Sequence, residues 1–388
     1  MIFHERPKFP RGFHCASRNC GLKPTAKDLA LFASDIDAVA AAVFTRNQFP
    51  GAPVILGRET IRAGRLRAIV VNSKVSNVAT GAAGLDHARR MAAAAAAEVG
   101  ADAGRVLVSS TGVIGRPLPI EKIERGLVGM SREFSDDPLL GAEGIMTTDS
   151  YAKAVSLAVG DATLTCVAKG SGMIEPNMAT MLAYLFTDAR FDAATLDRML
   201  RAAVDESFNM LSVDTDTSTS DTCAILANGL AGDIPEEQFQ LALTACCIRM
   251  TELLARDGEG AKHLLTVTVR NAASTAAARS VAKSVVNSPL VKTMVHGADP
   301  NIGRLLMAVG KCVDVAILPG STDAWIGGHP VVRGGTRLDF DESVVRAALA
   351  AERVEITVAL GVGDARATAW GCDLSAGYVT ENAAYYSS

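Results

Sequence analysis

Apolar residues recur along this chain at two spacings. Short runs rich in valine, isoleucine, leucine and alanine, bounded by glycine or polar residues, predict strands at 68–72, 106–109, 163–168, 222–227, 264–269, 354–360 and 367–372. Between them the spacing lengthens to three or four residues, predicting helices at 86–98, 194–206, 236–256 and 276–285. Leu196, Met199, Leu200 and Ala203 give the second helix one apolar face, and Asp192 stands where an N-cap acceptor belongs. Pro235 suits the first turn of the third helix, and Asp257-Gly258 its end. Strands alternating with helices predict an α/β or α+β fold. A polar stretch at 270–275 follows one strand, and a loop is expected over 287–304. The chain is therefore expected to divide into a larger α/β domain, 1–272, and a smaller C-terminal domain, 273–388, with a strand-rich tail.

Composition narrows the function classes. The 388 residues are 49% hydrophobic and 21% charged, which argues for a packed core and against disorder. With a net charge of −4 and no Lys/Arg tract, neither nucleic acid nor an anionic membrane is the expected partner. The polar, proline-broken start lacks the apolar region of a signal peptide. The alanine run at 92–97 is too short to span a bilayer and lies close to Arg89, Arg90 and Glu98. Cysteines at 15, 20, 166, 223, 246, 247, 312 and 372 form no CxxC pair, and no histidine stands at ligand spacing from them. Cys15 and Cys20 are the nearest thing to a ligand pair, and a reduced cytoplasmic protein acting on small molecules is the expectation.

Four segments stand apart from this background. In Ser109-Ser110-Thr111-Gly112-Val113-Ile114-Gly115, a hydroxyl and a glycine amide meet at a strand end. That pattern suits an oxyanion hole, and it equally suits a plain strand-to-helix turn. Lys169 to Leu182 reads KGSGMIEPNMATML and matches no phosphate loop, because the lysine precedes the glycines. If the backbone strains at Ala179-Thr180, the Thr180 hydroxyl can attack the preceding carbonyl, and water then frees an N-terminal threonine. Its α-amine, with a reference pKa of about 7.7–8.0, can serve as base for its own hydroxyl. Asp214 to Thr222 holds three carboxylates among hydroxyls, favouring side chains bonded to local backbone over a cation site. In Arg256-Asp257-Gly258-Glu259-Gly260 the glutamate reads, by spacing alone, as solvated.

Together these stretches resemble the ornithine acetyltransferase family, the enzymes of the cyclic arginine pathway that move acetyl from N-acetylornithine to glutamate. The likeness runs from about residue 10 to the C-terminus, through VFTRN (43–47), SSTGVIG (109–115), IMTTD (145–149), KGSGMIEPNMATML (169–182), DTSTSDT (216–222), RDGEGA (256–261), VNSPLVKT (286–293), DPNIGR (299–304) and WGCDL (370–374). It implies cleavage between Ala179 and Thr180, with Thr180 the nucleophile and Thr111 and Gly112 the oxyanion hole. Thr148, Lys169, Glu259, Asn382 and Ser387 match positions that hold substrate; Ser387 replaces the usual threonine. It also implies a layered fold like that of the self-cleaving aminopeptidases, a C-terminal tail that returns to the site, and no metal or tightly bound cofactor. The two cleaved pieces are expected to stay together and to pair further, as a dimer of such heterodimers.

The chain departs from the family pattern after the strand at 68–72, where Lys74 stands in place of a common glycine and Val75 in place of an asparagine. Ile302 replaces a tryptophan, and Tyr151-Ala152-Lys153 is also unusual. The nucleophile and oxyanion positions are intact, so the chemistry is better specified than the substrate. An acyltransferase of specialised metabolism, an N-terminal-nucleophile amidase or aminopeptidase, and a non-catalytic relative remain as alternatives.

Overall fold

The computed structural model describes residues 2–175 and 181–383, so Ala179, Thr180 and Ser387 lie outside the described residues. The chain forms two compact units. The first comprises Met1–Gly170, Pro176–Asn209 and Thr217–Met250, and the second Ser171–Glu175, Met210–Asp216 and Thr251–Ser388.

The first unit holds an eight-stranded sheet made of β1 (Phe13–Arg18), β2 (Leu29–Phe44), β3 (Arg65–Val75), β4 (Val106–Val113), β5 (Lys153–Val159), β6 (Ala162–Lys169), β7 (Leu182–Arg190) and β9 (Thr222–Asp233). The strand order is β4-β3-β2-β9-β7-β6-β5, with β1 paired to β2. β3 and β4 run parallel, as do β7 and β9; the other pairs are antiparallel. The 16-residue β2 is the organiser. Its register against β3 shifts between Ala33 and Ala38, so its first half carries β1 and its second half carries β9. The sequence pattern does not predict β2, because Ser-Asp-Ile-Asp interrupts it and its second half is mostly alanine, a weak strand former.

Both faces of this sheet are covered. On one side Leu29, Leu31, Val70, Val106 and Val108 pack against α2 (Gly81–Val99). The helix presents Gly84, Ala88, Met91, Ala92, Ala95 and Ala96 at helical spacing. The alanine run is thus the small-residue face of a core helix, and no helix of the described residues is long and apolar enough to cross a membrane. α1 (Ala52–Thr60) packs on α2 and β4, and α3 (Ile120–Leu127) adds Ile120, Ile123 and Leu127 to the same layer. On the other face α4 (Pro138–Ile145) covers a cluster of Phe9, Phe13, Phe32, Tyr184 and Phe186, where the Phe186 ring lies 5.2, 5.3 and 5.5 Å from those of Phe9, Phe13 and Phe32. α5 (Ala193–Glu206) starts as predicted, with Asp192 accepting from the Ala194 and Thr195 amides. Phe191, just ahead of it, packs on Phe239 of α6 (Glu236–Arg256) at 4.6 Å.

The second unit's sheet contains β8 (Leu211–Ser212), β10 (Leu264–Ala272), β11 (Asp323–Ile326), β12 (His329–Arg333), β13 (Thr336–Arg337), β14 (Arg353–Ala359) and β15 (Ala365–Cys372), in the order β13-β12-β11-β14-β10-β15-β8. α7 (Thr275–Val286) packs on β10 and β15. A boundary at 272/273 would leave β10 with the larger domain, whereas its parallel pairing to β14 and antiparallel pairing to β15 make it an interior strand of this second sheet. The stretch 287–304 is not the expected loop either. It holds α8 (Pro289–His296), capped by Ser288 with proline at its start, and the first turn of α9 (Ile302–Gly310). α10 (Glu342–Leu349) and α11 (Ala376–Asn382) complete the unit.

Phe186→Ala removes the ring shared by three neighbours, and is expected to lower stability by about 3–5 kcal/mol with little change in the slope of urea unfolding.

Candidate active site

Within the first unit, the parallel pairing of β3 and β4 sets Asn72 opposite Ser110, Ser73 opposite Thr111, and Lys74 opposite Gly112. This places a row of polar residues at the ends of two core strands, and all but Lys74 and Gly112 are buried. Each buried hydroxyl or amide that fixes the row has a partner. Ser110 Oγ donates to Asn72 Oδ1 at 2.6 Å, Asn72 Nδ2 to the Val75 carbonyl at 2.8 Å, and Ser73 Oγ to the Gly144 carbonyl at 2.9 Å. Gly112 has φ +124°, and a Cβ there would collide with the Lys74 peptide carbonyl, so only glycine fits. Lys169, the last residue of β6, donates from Nζ to Thr111 Oγ1 at 3.3 Å. That bond uses the hydroxyl as acceptor and leaves its proton available to a further acceptor.

A carboxylate that the motif reading did not single out holds this cluster together. Asp149 accepts from Lys153 Nζ at 2.8 Å and from the amides of Gly170 at 2.6 Å and Thr147 at 2.9 Å. Burial by itself pushes its carboxyl up, but the Lys169 and Lys153 ammoniums and these hydrogen bonds outweigh it and hold the group down at about 2. Lys153, on β5, is a fully buried cation, which explains why its pairing has to be close. Thr148 is half-buried in the turn between α4 and β5, beside Asp149. Lys23 adds another ammonium, donating to the Lys27 and Met146 carbonyls. Burial, then the opposing pulls of Asp28 and Lys169, bring its amine down to about 8.

Within the second unit, Glu259 lies just after α6 and is buried, not solvated. Its Oε2 accepts from Asn382 Nδ2 at 2.7 Å, and its amide donates to the Ser171 carbonyl at 3.1 Å. Gly172 has to be glycine, because a Cβ there would run into the Glu259 carboxylate. Gly260, at φ +69°, lets the chain pass against the backbone of Gly377 and Tyr378. Asp214 bonds local backbone through the Asp216 amide at 3.3 Å, but its shorter bonds are to a remote segment, accepting from the Met173 and Ile174 amides at 2.6 and 2.8 Å.

The structure therefore joins Thr111, Gly112 and Lys169 in one unit, and Glu259 and Asn382 in the other. Two of the departures from the family pattern are core positions: Val75 belongs to the α2 layer, and Ile302 is buried at the start of α9. Cys15 and Cys20 are free thiols pushed up to about 12, chiefly by burial. No group of three or more acidic, cysteine or histidine side chains suited to a metal occurs among the described residues. Asp149 had a signal in sequence, its place two residues after Thr147 in the MTTD motif, but the partners that make it matter come from other strands.

The chain matches the model of the ArgJ family over residues 14–387. It is 46% identical over 377 residues to the arginine biosynthesis bifunctional protein ArgJ 2 of Nostoc sp., with 97% of each chain covered. To the glutamate N-acetyltransferase Oat2 of Streptomyces clavuligerus it is 43% identical over 389 residues, covering 98% of each. Among solved structures it is similar to the arginine biosynthesis bifunctional protein ArgJ from Bacillus halodurans, at 39% identity and a TM-score of 0.51, with 53% of this chain covering 100% of that one.

Asp149→Asn leaves the buried Lys153 ammonium without its counter-charge and is expected to cost about 3–5 kcal/mol. Because the folded carboxyl lies below its unfolded value, its contribution is complete above pH ~4 and disappears as pH falls through about 2. Acid titration of stability should show that loss in the wild type and a flatter profile in the variant.

Proposed function

The chain belongs to the ArgJ family, and on that premise we propose that it is a glutamate N-acetyltransferase of arginine biosynthesis, taking acetyl from N-acetylornithine through an acetyl ester on Thr180. The observation that carries the mechanism is the pairing of β6 with β7. Lys169 lies opposite Leu182, so the strand that begins two residues after Thr180 starts beside the Lys169–Thr111 contact. The Met181 carbonyl is tied there by the Thr222 amide at 3.0 Å.

The Thr180 hydroxyl first attacks the Ala179 carbonyl, and the C–N bond gives way to an ester. Water then hydrolyses the ester and leaves Thr180 with a free α-amine. In the donor step that amine accepts the hydroxyl proton as Oγ attacks the acetyl carbonyl. The Thr111 hydroxyl and the Gly112 amide donate to the oxyanion, and the proton passes to the departing ornithine nitrogen. Glutamate's amine then attacks the ester, the C–O bond breaks, and Thr180 recovers its proton. Lys169 takes a substrate carboxylate, with Thr148 and Asn382 as polar contacts, and Glu259 suits the ammonium of ornithine. Ser387 supplies a terminal hydroxyl.

The sheet supports a break that leaves one folded body. β1 to β6 precede residue 180 and β7 and β9 follow it, yet β9 and β7 lie between β2 and β6 in the sheet. Two runs of strand pairing, β2 to β9 and β6 to β7, would hold the fragments together after cleavage. The solved Bacillus halodurans chain, matched in full by 53% of this one, has about the share that residues 180–388 make up here. Further pairing of such heterodimers, and a cytoplasmic location, complete the proposal.

Denaturing mass analysis of the purified wild type should give fragments 1–179 and 180–388, whereas Thr180→Ala stays whole. N-Acetylornithine should add one acetyl group to the second fragment, and glutamate should remove it as N-acetylglutamate. Thr111→Val should lower kcat by about 10²-fold or more through loss of one oxyanion donor. A wild-type chain that stays whole after long incubation sinks the mechanism, and release of free acetate in place of N-acetylglutamate points to the hydrolase alternative.

A further inference from the structure

Five residues before Thr180 the chain is fastened within the second unit. The Ile174 carbonyl accepts from the Val213 amide at 2.7 Å, and the Glu175 amide donates to the Asp216 carbonyl at 3.1 Å. Backbone bonds of this kind need no particular side chain at 175. The Glu175 carboxylate nonetheless makes a second attachment of its own. Its Oε2 accepts from Ser212 Oγ at 2.9 Å and from Asn287 Nδ2 at 2.7 Å, and its Oε1 lies 3.2 Å from Lys283 Nζ. Ser212 belongs to β8, Lys283 to α7, and Asn287 is the C-cap of α7. The two charged side chains are only 21% and 17% exposed, so their bonds contribute more than those of a solvated surface pair. Lys283 is fixed in turn by donating to the Leu211 carbonyl at 2.9 Å. Burial lowers its amine, and Glu175 pulls it back up.

The residue after Glu175 is a proline, which offers no amide hydrogen and favours extended backbone at the residue before it. Past Thr180, the Met181 carbonyl is bonded by the Thr222 amide at 3.0 Å. Attack on the Ala179 carbonyl requires the Thr180 hydroxyl to meet it, and the rate follows the fraction of conformers in which the two groups meet. A short run fastened at both ends has few conformers to sample. With one end loosened it samples many more, and the productive fraction falls.

Resting on the self-cleavage proposed above, we propose that Glu175 is a positioning residue for that reaction. Its carboxylate, clasped by Ser212, Lys283 and Asn287, fixes the upstream end of the segment that carries the Ala179–Thr180 bond. The role ends with the cut. Once residue 179 is a free C-terminus, Thr180 is joined to the fold only through Met181, and Glu175 no longer acts on its hydroxyl. Maturation and turnover therefore respond differently to the same substitution, which a general loosening of the second unit would not produce.

The test follows loss of the intact chain after a pulse of cell-free synthesis, for wild type, Glu175→Ala, Glu175→Gln and Lys283→Met. Glu175→Ala should slow cleavage about tenfold. Glu175→Gln keeps an oxygen for Ser212 and Asn287 but removes the ion pair, as Lys283→Met does from the other side. These two should slow cleavage by similar, smaller factors, and the double variant no further than either. The near-isosteric Gln variant carries the test if the Ala variant does not fold. Once cleaved to completion, each variant should turn over N-acetylornithine with the wild-type kcat and KM. Wild-type cleavage rates in the Glu175 variants overturn the assignment and leave self-cleavage standing. A fall in kcat of the cleaved variants that matches the fall in cleavage rate also overturns it, because Glu175 then only supports the fold of the second unit. A wild type that never cleaves overturns both.

Discussion

The buried Asp149 carboxylate is the interaction on which the candidate site in the first unit turns. Three parts of the chain meet on it: the turn after α4 through Thr147, β5 through Lys153, and the end of β6 through the Gly170 amide and the field of the Lys169 ammonium. Water cannot solvate these charges, because Asp149 and Lys153 are almost completely enclosed. Each ion is tolerable only while the others remain in place. Removing the carboxylate would take the 2.8 Å ion-pair partner from the buried Lys153 ammonium and release the backbone at Gly170, one residue past the lysine that contacts Thr111. Site geometry and local stability are here the same set of contacts.

Around that centre the sheet does two jobs. Its parallel β3–β4 pair brings Ser73, Lys74, Thr111 and Gly112 into one row and forces a glycine at 112 by the closeness of the Lys74 carbonyl. Its interleaved order, with β9 and β7 between β2 and β6, means that the cut proposed before residue 180 would leave strands from both fragments paired in one sheet. The apolar layers on both faces, the alanine face of α2 and the aromatic cluster around Phe186, keep that sheet rigid. A threonine hydroxyl and one amide can act as an oxyanion hole only if they do not reorganise as charge develops.

Much of this was legible in the residues. Each predicted strand and helix forms, and the Asp192 cap has the geometry its position implies, because these features rest on local periodicity and local hydrogen bonds. β2 was hidden, since a strand rich in alanine and broken by Ser-Asp-Ile-Asp is stabilised by its three neighbours and not by its own propensity. β10 was assigned to the wrong side of the expected division for a similar reason: strand pairing across about ninety residues has no local trace. Glu259 looked like a surface residue because its partner, Asn382, comes from the far end of the chain.

The sequence by itself determined the family, through ordered motifs spread over nearly the whole length, and with it the chemistry expected of Thr180, Thr111 and Gly112. It also marked Lys74 as unusual, without saying why. Only the tertiary structure decided that Val75 and Ile302 are packing residues while Lys74 is held under strain against the glycine at 112. It likewise decided that Asp149 gathers two lysines into one buried network. The reason is physical. Motifs record which side chains are present, whereas burial, backbone strain and the balance of charge are properties of neighbours that the fold alone brings together.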